Sequence, residues 1–296
     1  MAQLRSNGLT IEYDTFGDRG ADPMLLIMGL GTQMIAWSPD FCESLAARGH
    51  YVVRFDNRDI GLSTKLEGAR APGRLRYLMH HVFQMNLGAP YSLQDMATDA
   101  AGVLEALDID AAHVVGASMG GMIAQLLAVE HPQCVKSLTS LMSTSGNPEL
   151  PRAKPELVKH MFAGRPNSSN PAVMLDHTVA TAKMLGSPGY PRSDEEWREL
   201  IGASIQRSFY PQGFIRQMAA IVADGSRVER LMKIEAPTLV IHGREDPLVR
   251  VEGGIDTARL IRGSRLEIIE GMGHDIPPPL VDRITGLIAD HAATWA

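Results

Sequence analysis

At residues 112–121 the chain reads Ala-His-Val-Val-Gly-Ala-Ser-Met-Gly-Gly. A short apolar run ends in a serine, glycines stand two residues before and two after it, and a helix-forming stretch begins at once. A serine so placed sits on a turn so tight that strand and helix come into close contact, which only small flanking residues allow. The turn holds its Oγ out from the C-terminal edge of the sheet. The N-terminus of the following helix presents free N–H groups and a partial positive charge, which favour a developing oxyanion. The pentapeptide Gly116-Ala117-Ser118-Met119-Gly120 is a weak signal alone, because a Gly-rich turn with an incidental serine spells the same letters. The strand before it and the helix after it give it meaning.

The rest of the chain supplies the sheet that this turn requires. Leu9–Tyr13, Met24–Met28, Tyr51–Phe55, His113–Ala117, Ser137–Met142, Thr238–His242 and Arg265–Ile269 read as strands. Between them lie helical stretches at Phe41–Arg48, from Ser92 with Asp95 as a capping acid, at Met119–Glu130, Gly253–Ile261 and Leu280–Ala293. Strands alternating with helices predict an α/β fold with a parallel sheet covered on both faces, the first two strands being a candidate antiparallel hairpin at one edge. From Gly146 to Arg230 the texture changes to helical patches among many prolines, with no strand-like run. This predicts a core of residues 1–145 and 231–296 with a helical insertion of residues 146–230. At 296 residues, 45% hydrophobic and 21% charged, the chain can bury a full core, so disorder and a stapled mini-protein are excluded.

A serine needs a base, and of the ten histidines His274 stands out, in Glu270-Gly271-Met272-Gly273-His274 just past the last strand. The adjacent pair His80 and His81 is not aimed at one point. His113 and His242 read as packed or hydrogen-bonded core residues at or within strands, and His50, His131, His160, His177 and His291 as surface or helix-end positions. The base needs a carboxylate to hold its tautomer. Asp246 follows the penultimate strand by a short turn stiffened by Pro247. Glu245 is the neighbouring alternative, and Asp224, Asp256 and Asp275 are weaker. Met28-Gly29-Leu30-Gly31 follows an early strand and suits a second oxyanion donor, which assigns the backbone N–H groups of Leu30 and Met119. The Gly pair is not a dinucleotide fingerprint, since Met34 occupies the third glycine's place. No H-E-x-x-H or C-x-x-C suggests a metal, and no cofactor is expected.

The insertion is rich in Met161, Met174, Met184, Met218 and Met232, with Phe162, Trp197, Phe209 and Phe214. One by one these read as packing; together they read as an adaptable apolar pocket. The pocket candidates are Met161, Met184, Phe214 and Met218, with Met28, Gly29 and Trp37 from the core. With 28 Lys and Arg against 34 Asp and Glu, the net charge of −6 fits neither nucleic acid nor an anionic membrane. No leader pattern and no membrane-length apolar run is visible, and Cys42 and Cys134 read as small apolar residues. A cytoplasmic protein, monomer or homodimer, is expected.

In combination these segments resemble the α/β-hydrolase family over nearly the whole chain. The Met28–Gly31 loop followed by Trp37 is similar to that family's histidine-glycine loop, with Met28 where histidine is common. Asp56-Asn57-Arg58-Asp59-Ile60-Gly61-Leu62-Ser63 looks like its D-x-R-G-x-G-x-S segment, with Asp59 in place of a usual glycine. The variant Met28-Gly29 loop together with the Arg58-Asp59 pair resembles the aclacinomycin methylesterase branch and related bacterial carboxylesterases. The resemblance implies an eight-stranded, mostly parallel sheet, helices on both faces, no cofactor, and a helical cap between strands six and seven. The expected function is a serine carboxylic-ester hydrolase for small to medium apolar or aromatic esters, with Ser118, Asp246 and His274 as its triad and methylesterase activity as one form. Lactone opening, carbon–carbon bond hydrolysis and peracid formation use the same groups. A receptor-like protein with slow hydrolysis is the alternative of another class.

Overall fold

The computed structural model describes residues 1–83, 85–163 and 170–294. Its strands are β1 (Ala2–Ser6), β2 (Leu9–Phe16), β3 (Asp22–Ile27), β4 (His50–Phe55), β5 (Ala112–Ala117), β6 (Val135–Leu141), β7 (Thr238–Gly243) and β8 (Arg265–Ile269). They form one eight-stranded sheet in the order β1-β2-β4-β3-β5-β6-β7-β8. Six strands, β3 to β8, run parallel; β1 with β2 and β2 with β4 are antiparallel. The antiparallel hairpin at the edge is therefore β1–β2, not the pair Leu9–Tyr13 and Met24–Met28. β4 lies between those two strands, a crossover that local patterning does not encode.

The helices are α1 (Pro39–Ala47), α2 (Arg74–Phe83), α3 (Leu93–Ala106), α4 (Met119–Glu130), α5 (Pro155–Val158), α6 (Pro171–Leu185), α7 (Asp194–Arg207), α8 (Pro211–Asp224), α9 (Val228–Leu231), α10 (Val251–Leu260) and α11 (Val281–Ala293). Ser92 caps α3 in a reciprocal box with Asp95, and the Ser38 hydroxyl accepts the Phe41 N–H at the start of α1. Each cap satisfies donors that the first turn leaves open.

Strand alternation builds two apolar layers. Leu25 and Ile27 of β3, Val53 and Phe55 of β4 and Val114 of β5 pack under α3 and α4. Met24, Leu26, Val52, Val115 and Ala117 face the other way, against Phe41 and Leu45 of α1 and Ile284 and Ile288 of α11. Successive residues of a strand point to opposite faces, so central strands covered on both sides carry apolar residues on both faces. Between β6 and β7 the described residues form helices and no strand. α9 straddles the expected boundary at residue 230, and its Leu231 joins the α3–α4 layer. No helix among the described residues is long and apolar enough to cross a membrane.

Candidate active site

The C-terminal ends of the parallel strands deliver Ser118, Asp246, His274 and the loop that starts at Met28. Ser118 follows β5 directly with φ 56° and ψ −119°, a backbone that only strong local restraint holds on a non-glycine residue. Its N–H donates to Leu141 O at 2.9 Å, and its carbonyl accepts the Ser143 hydroxyl at 2.8 Å. The glycine demand is steric. A Cβ on Gly116 would lie 2.1 Å from Gly120 O, and one on Gly120 would lie 2.0 Å from Ile27 O.

His274 arrives from the loop after β8. Its backbone N–H donates to Leu185 O at 2.7 Å, which ties the loop to the end of α6. The ring spans the two other groups: Nε2 lies 3.0 Å from Ser118 Oγ, and Nδ1 lies 2.6 Å from Asp246 Oδ2. Asp246, on the turn after β7, is fully buried. Its Oδ1 accepts the N–H groups of Leu248 and Val249, both at 2.9 Å. Burial opposes the carboxylate's charge, but the imidazoles of His274 and His242 outweigh it and hold the Asp246 carboxyl well below its usual range.

Gly29 brings the loop after β3 against the serine: a Cβ there would lie 3.2 Å from Ser118 Cβ and 3.7 Å from its Oγ. Among the described residues, the N–H groups of Leu30 and Met119 meet no acceptor. The segment after β4 braces this loop. Asn57 donates to Met28 O at 2.8 Å, and Asp56 accepts the Met34 N–H at 2.8 Å and the Leu62 N–H at 2.9 Å. Gly61, at φ 57°, leaves room for the Asp56 carboxylate.

Residues 22–278 match the family model for the alpha/beta hydrolase fold. The chain belongs to the α/β-hydrolase family. Rhodomycin D methylesterase DauP of Streptomyces sp. (strain C5) is 29% identical over 97% of this chain and 96% of its own length. The corresponding methylesterase DnrP of Streptomyces peucetius is 27% identical over the same shares. A 2-hydroxy-6-oxononadienedioate/2-hydroxy-6-oxononatrienedioate hydrolase of Paraburkholderia xenovorans is 24% identical over 96% of this chain and 90% of its own. Among solved structures, the meta-cleavage product hydrolase CumD of Pseudomonas fluorescens aligns over 100% of this chain and 98% of its own, with TM-score 0.79 at 20% identity. The chain is thus a hydrolase of esterase type.

Within this α/β hydrolase the other expected residues fall into distinct places. Phe214 lies against the loop after β3, its ring 2.6 Å from where a Gly31 Cβ would stand. Met184 lines a cavity of about 570 Å³ with Ser187, Trp197, Glu245 and Pro247. Met161 and Met218 are half-buried, and no described contact joins either to Ser118, Asp246 or His274. Met28 is only 7% exposed, within the α1–α11 layer. Trp37 is a correction: it is fully buried, its ring 5.0 Å from Phe41, and it forms core beneath the loop instead of pocket wall. Met232 also departs from the reading, at 57% exposed. The Phe162 side chain lies outside the described ones.

The remaining titratable candidates are engaged elsewhere. His113 bonds Ser137 and Asp22, and Glu245 accepts the Gly271 N–H. Asp224 pairs with Arg227 and Arg230, Asp256 with Arg259, and Asp275 accepts from the Ser187 hydroxyl. His50 and His291, read as surface or helix-end positions, are buried and bonded to Asp22 O and Pro237 O, His291 lying in the last turn of α11. His242 lies nearer Asp246 than expected: fully buried, it donates through Nε2 to Val249 O, and the same atom is 3.5 Å from Asp246 Oδ2. Burial pushes the Cys42 thiol up to about 12, so it offers no competing nucleophile. No group of three or more His, Cys, Asp or Glu among the described residues is arranged to hold a metal ion.

Proposed function

We propose that the chain is a serine carboxylic-ester hydrolase working through an acyl-enzyme. The observation that carries this reading is the unbroken relay from Ser118 Oγ to His274 Nε2 at 3.0 Å and from His274 Nδ1 to Asp246 at 2.6 Å. Ser118 Oγ attacks the ester carbonyl carbon while His274 Nε2 takes its proton. The backbone N–H groups of Leu30 and Met119 stabilise the resulting oxyanion. His274 then gives the proton to the departing alkoxide as the ester C–O bond breaks. Water, deprotonated by His274, attacks the acyl carbon, and Ser118 leaves with the proton returned to it. Asp246 fixes the ring's tautomer and stabilises the imidazolium. The segment 146–230 serves as a cap over the core of 1–145 and 231–296, with Phe214 among its residues against the oxyanion loop.

The methylesterase relatives support esters of bulky aromatic acids with small alcohols as the substrate class. A second reading, carbon–carbon bond hydrolysis, is favoured by the likeness to the hydrolase of Paraburkholderia xenovorans. A panel of p-nitrophenyl acetate, butyrate and octanoate, methyl esters of polycyclic aromatic acids, and a 2-hydroxy-6-oxo-dienoate separates the two. Multiple turnovers are expected on esters, with no comparable cleavage of the dienoate. Faster dienoate cleavage would transfer the assignment to the second reading, and a single slow event per molecule would point to a receptor.

A further inference from the structure

We infer that Gln217, on α8 of the insertion, is a positioning residue for the oxyanion loop, and that α8 is a fixed part of the catalytic apparatus, not a movable cover. The inference rests on the triad reading above and goes beyond it. Gln217 is fully buried and bridges two core loops. Its Oε1 accepts the Gly31 N–H at 2.8 Å, and its Nε2 donates to Arg58 O at 2.9 Å. Both ends of the amide are thereby used, and both partners lie more than 150 residues away in the chain.

The first bond decides which amide of the loop is free. Gly31 has φ 67°, and its N–H is committed to Gln217, whereas the neighbouring Leu30 N–H meets no acceptor among the described residues. A loop with two adjacent glycine-flanked amides has more than one orientation open to it. Holding the Gly31 amide selects the one in which Leu30 is the donor left for an oxyanion. Electrostatic stabilisation depends on donors already aimed before charge develops.

α8 is itself anchored beside Gln217. Arg216 makes a two-bond pair with Asp59, Nε to Oδ2 and Nη2 to Oδ1, each at 2.8 Å, and both side chains are nearly inaccessible. Gly213 lets the helix settle onto the Asp59 backbone, since a Cβ there would lie 2.0 Å from Asp59 O. Asp59 is at φ 69°, a left-handed backbone that favours glycine. The side chain therefore stands there at a conformational cost and is held by Arg216. Burial opposes its charge, and the bonds from Arg216 and the Leu66 N–H hold its carboxyl below the usual range. Phe214, one turn earlier, presses on Gly31. Phe214, Arg216 and Gln217 of α8 thus grip the loop after β3 and the segment after β4 that braces it.

Gln217→Leu keeps the volume and removes both bonds. It is expected to lower kcat by about 10- to 100-fold, as loss of donor alignment does, while KM changes less than about threefold. The Ki of a trifluoromethyl ketone, which forms a tetrahedral oxyanion on the serine, should rise in proportion to the fall in kcat/KM, and the Kd of an unreactive amide analogue should stay put. Gln217→Glu, which keeps the acceptor for Gly31, should recover part of the loss. In the wild-type protein, amide exchange should show Gly31 protected and Leu30 exchanging until the ketone is bound; this reading holds even where a variant fails to fold. Unchanged kcat in a folded Gln217→Leu, equal loss of both inhibitors, or a Gly31 amide exchanging as fast as Leu30 would each overturn the inference. Failure of the triad reading is seen separately, as absence of ester turnover by wild type.

Discussion

Ser118→Ala is expected to reduce ester hydrolysis by about 10⁴-fold or more, as removal of a serine nucleophile does in comparable triads, with little change in thermal stability. Oγ makes one described hydrogen bond, to His274. The elbow is held by the backbone of Ser118 through Leu141 O and by Ser143, so alanine keeps every restraint on the turn. The residual rate reports what substrate binding and the oxyanion donors achieve alone. Steady-state kinetics beside a melting curve check this. A folded Ser118→Ala protein with substantial turnover would remove Ser118 from the mechanism.

Asp246→Asn is expected to cost about 10³- to 10⁴-fold in kcat, through the tautomer of His274 and not through lost structure. The geometry forces the effect. Oδ1 accepts two backbone N–H groups, from Leu248 and Val249, so an asparagine must keep its carbonyl oxygen there and turn its NH₂ toward His274. Nδ1 then becomes an acceptor, Nε2 carries the proton, and the ring cannot take one from Ser118. The same residue sets an acid limit. Its folded-state pKa is depressed below the ordinary 3.8, so its stabilisation is present above that value and is lost as pH falls through the lower, folded one. Acid unfolding of wild type should steepen below about pH 4, and Asp246→Asn should flatten that limb. Denaturation curves at several pH values measure the difference; an unaltered acid limb would contradict the assigned ionisation.

How much of this was legible in the chain follows from how local each signal is. The elbow was readable because its strand, glycines and helix are consecutive. Asp246 and His274 were readable because each closes an apolar strand with turn residues. β1 was not read: Ala2, Gln3 and Arg5 are exposed on an edge strand, so no apolar alternation marks it. α2 escaped because its large apolar residues face water, Leu75 at 70% and Phe83 at 65% exposed, and periodicity argues only for a face that is buried. Trp37 read as pocket wall because an aromatic near a glycine loop invites it, while its ring in fact packs with Phe41. The role of Asp59 needed Arg216, and that of Gln217 needed Gly31. Such pairings exist only once distant segments meet.

The most direct test of the triad is covalent labelling with a fluorophosphonate followed by peptide mass spectrometry. One label per chain on Ser118 is predicted in wild type, with labelling abolished in Ser118→Ala and strongly slowed in His274→Ala. Label on another residue, or ester turnover persisting in fully labelled protein, would contradict it.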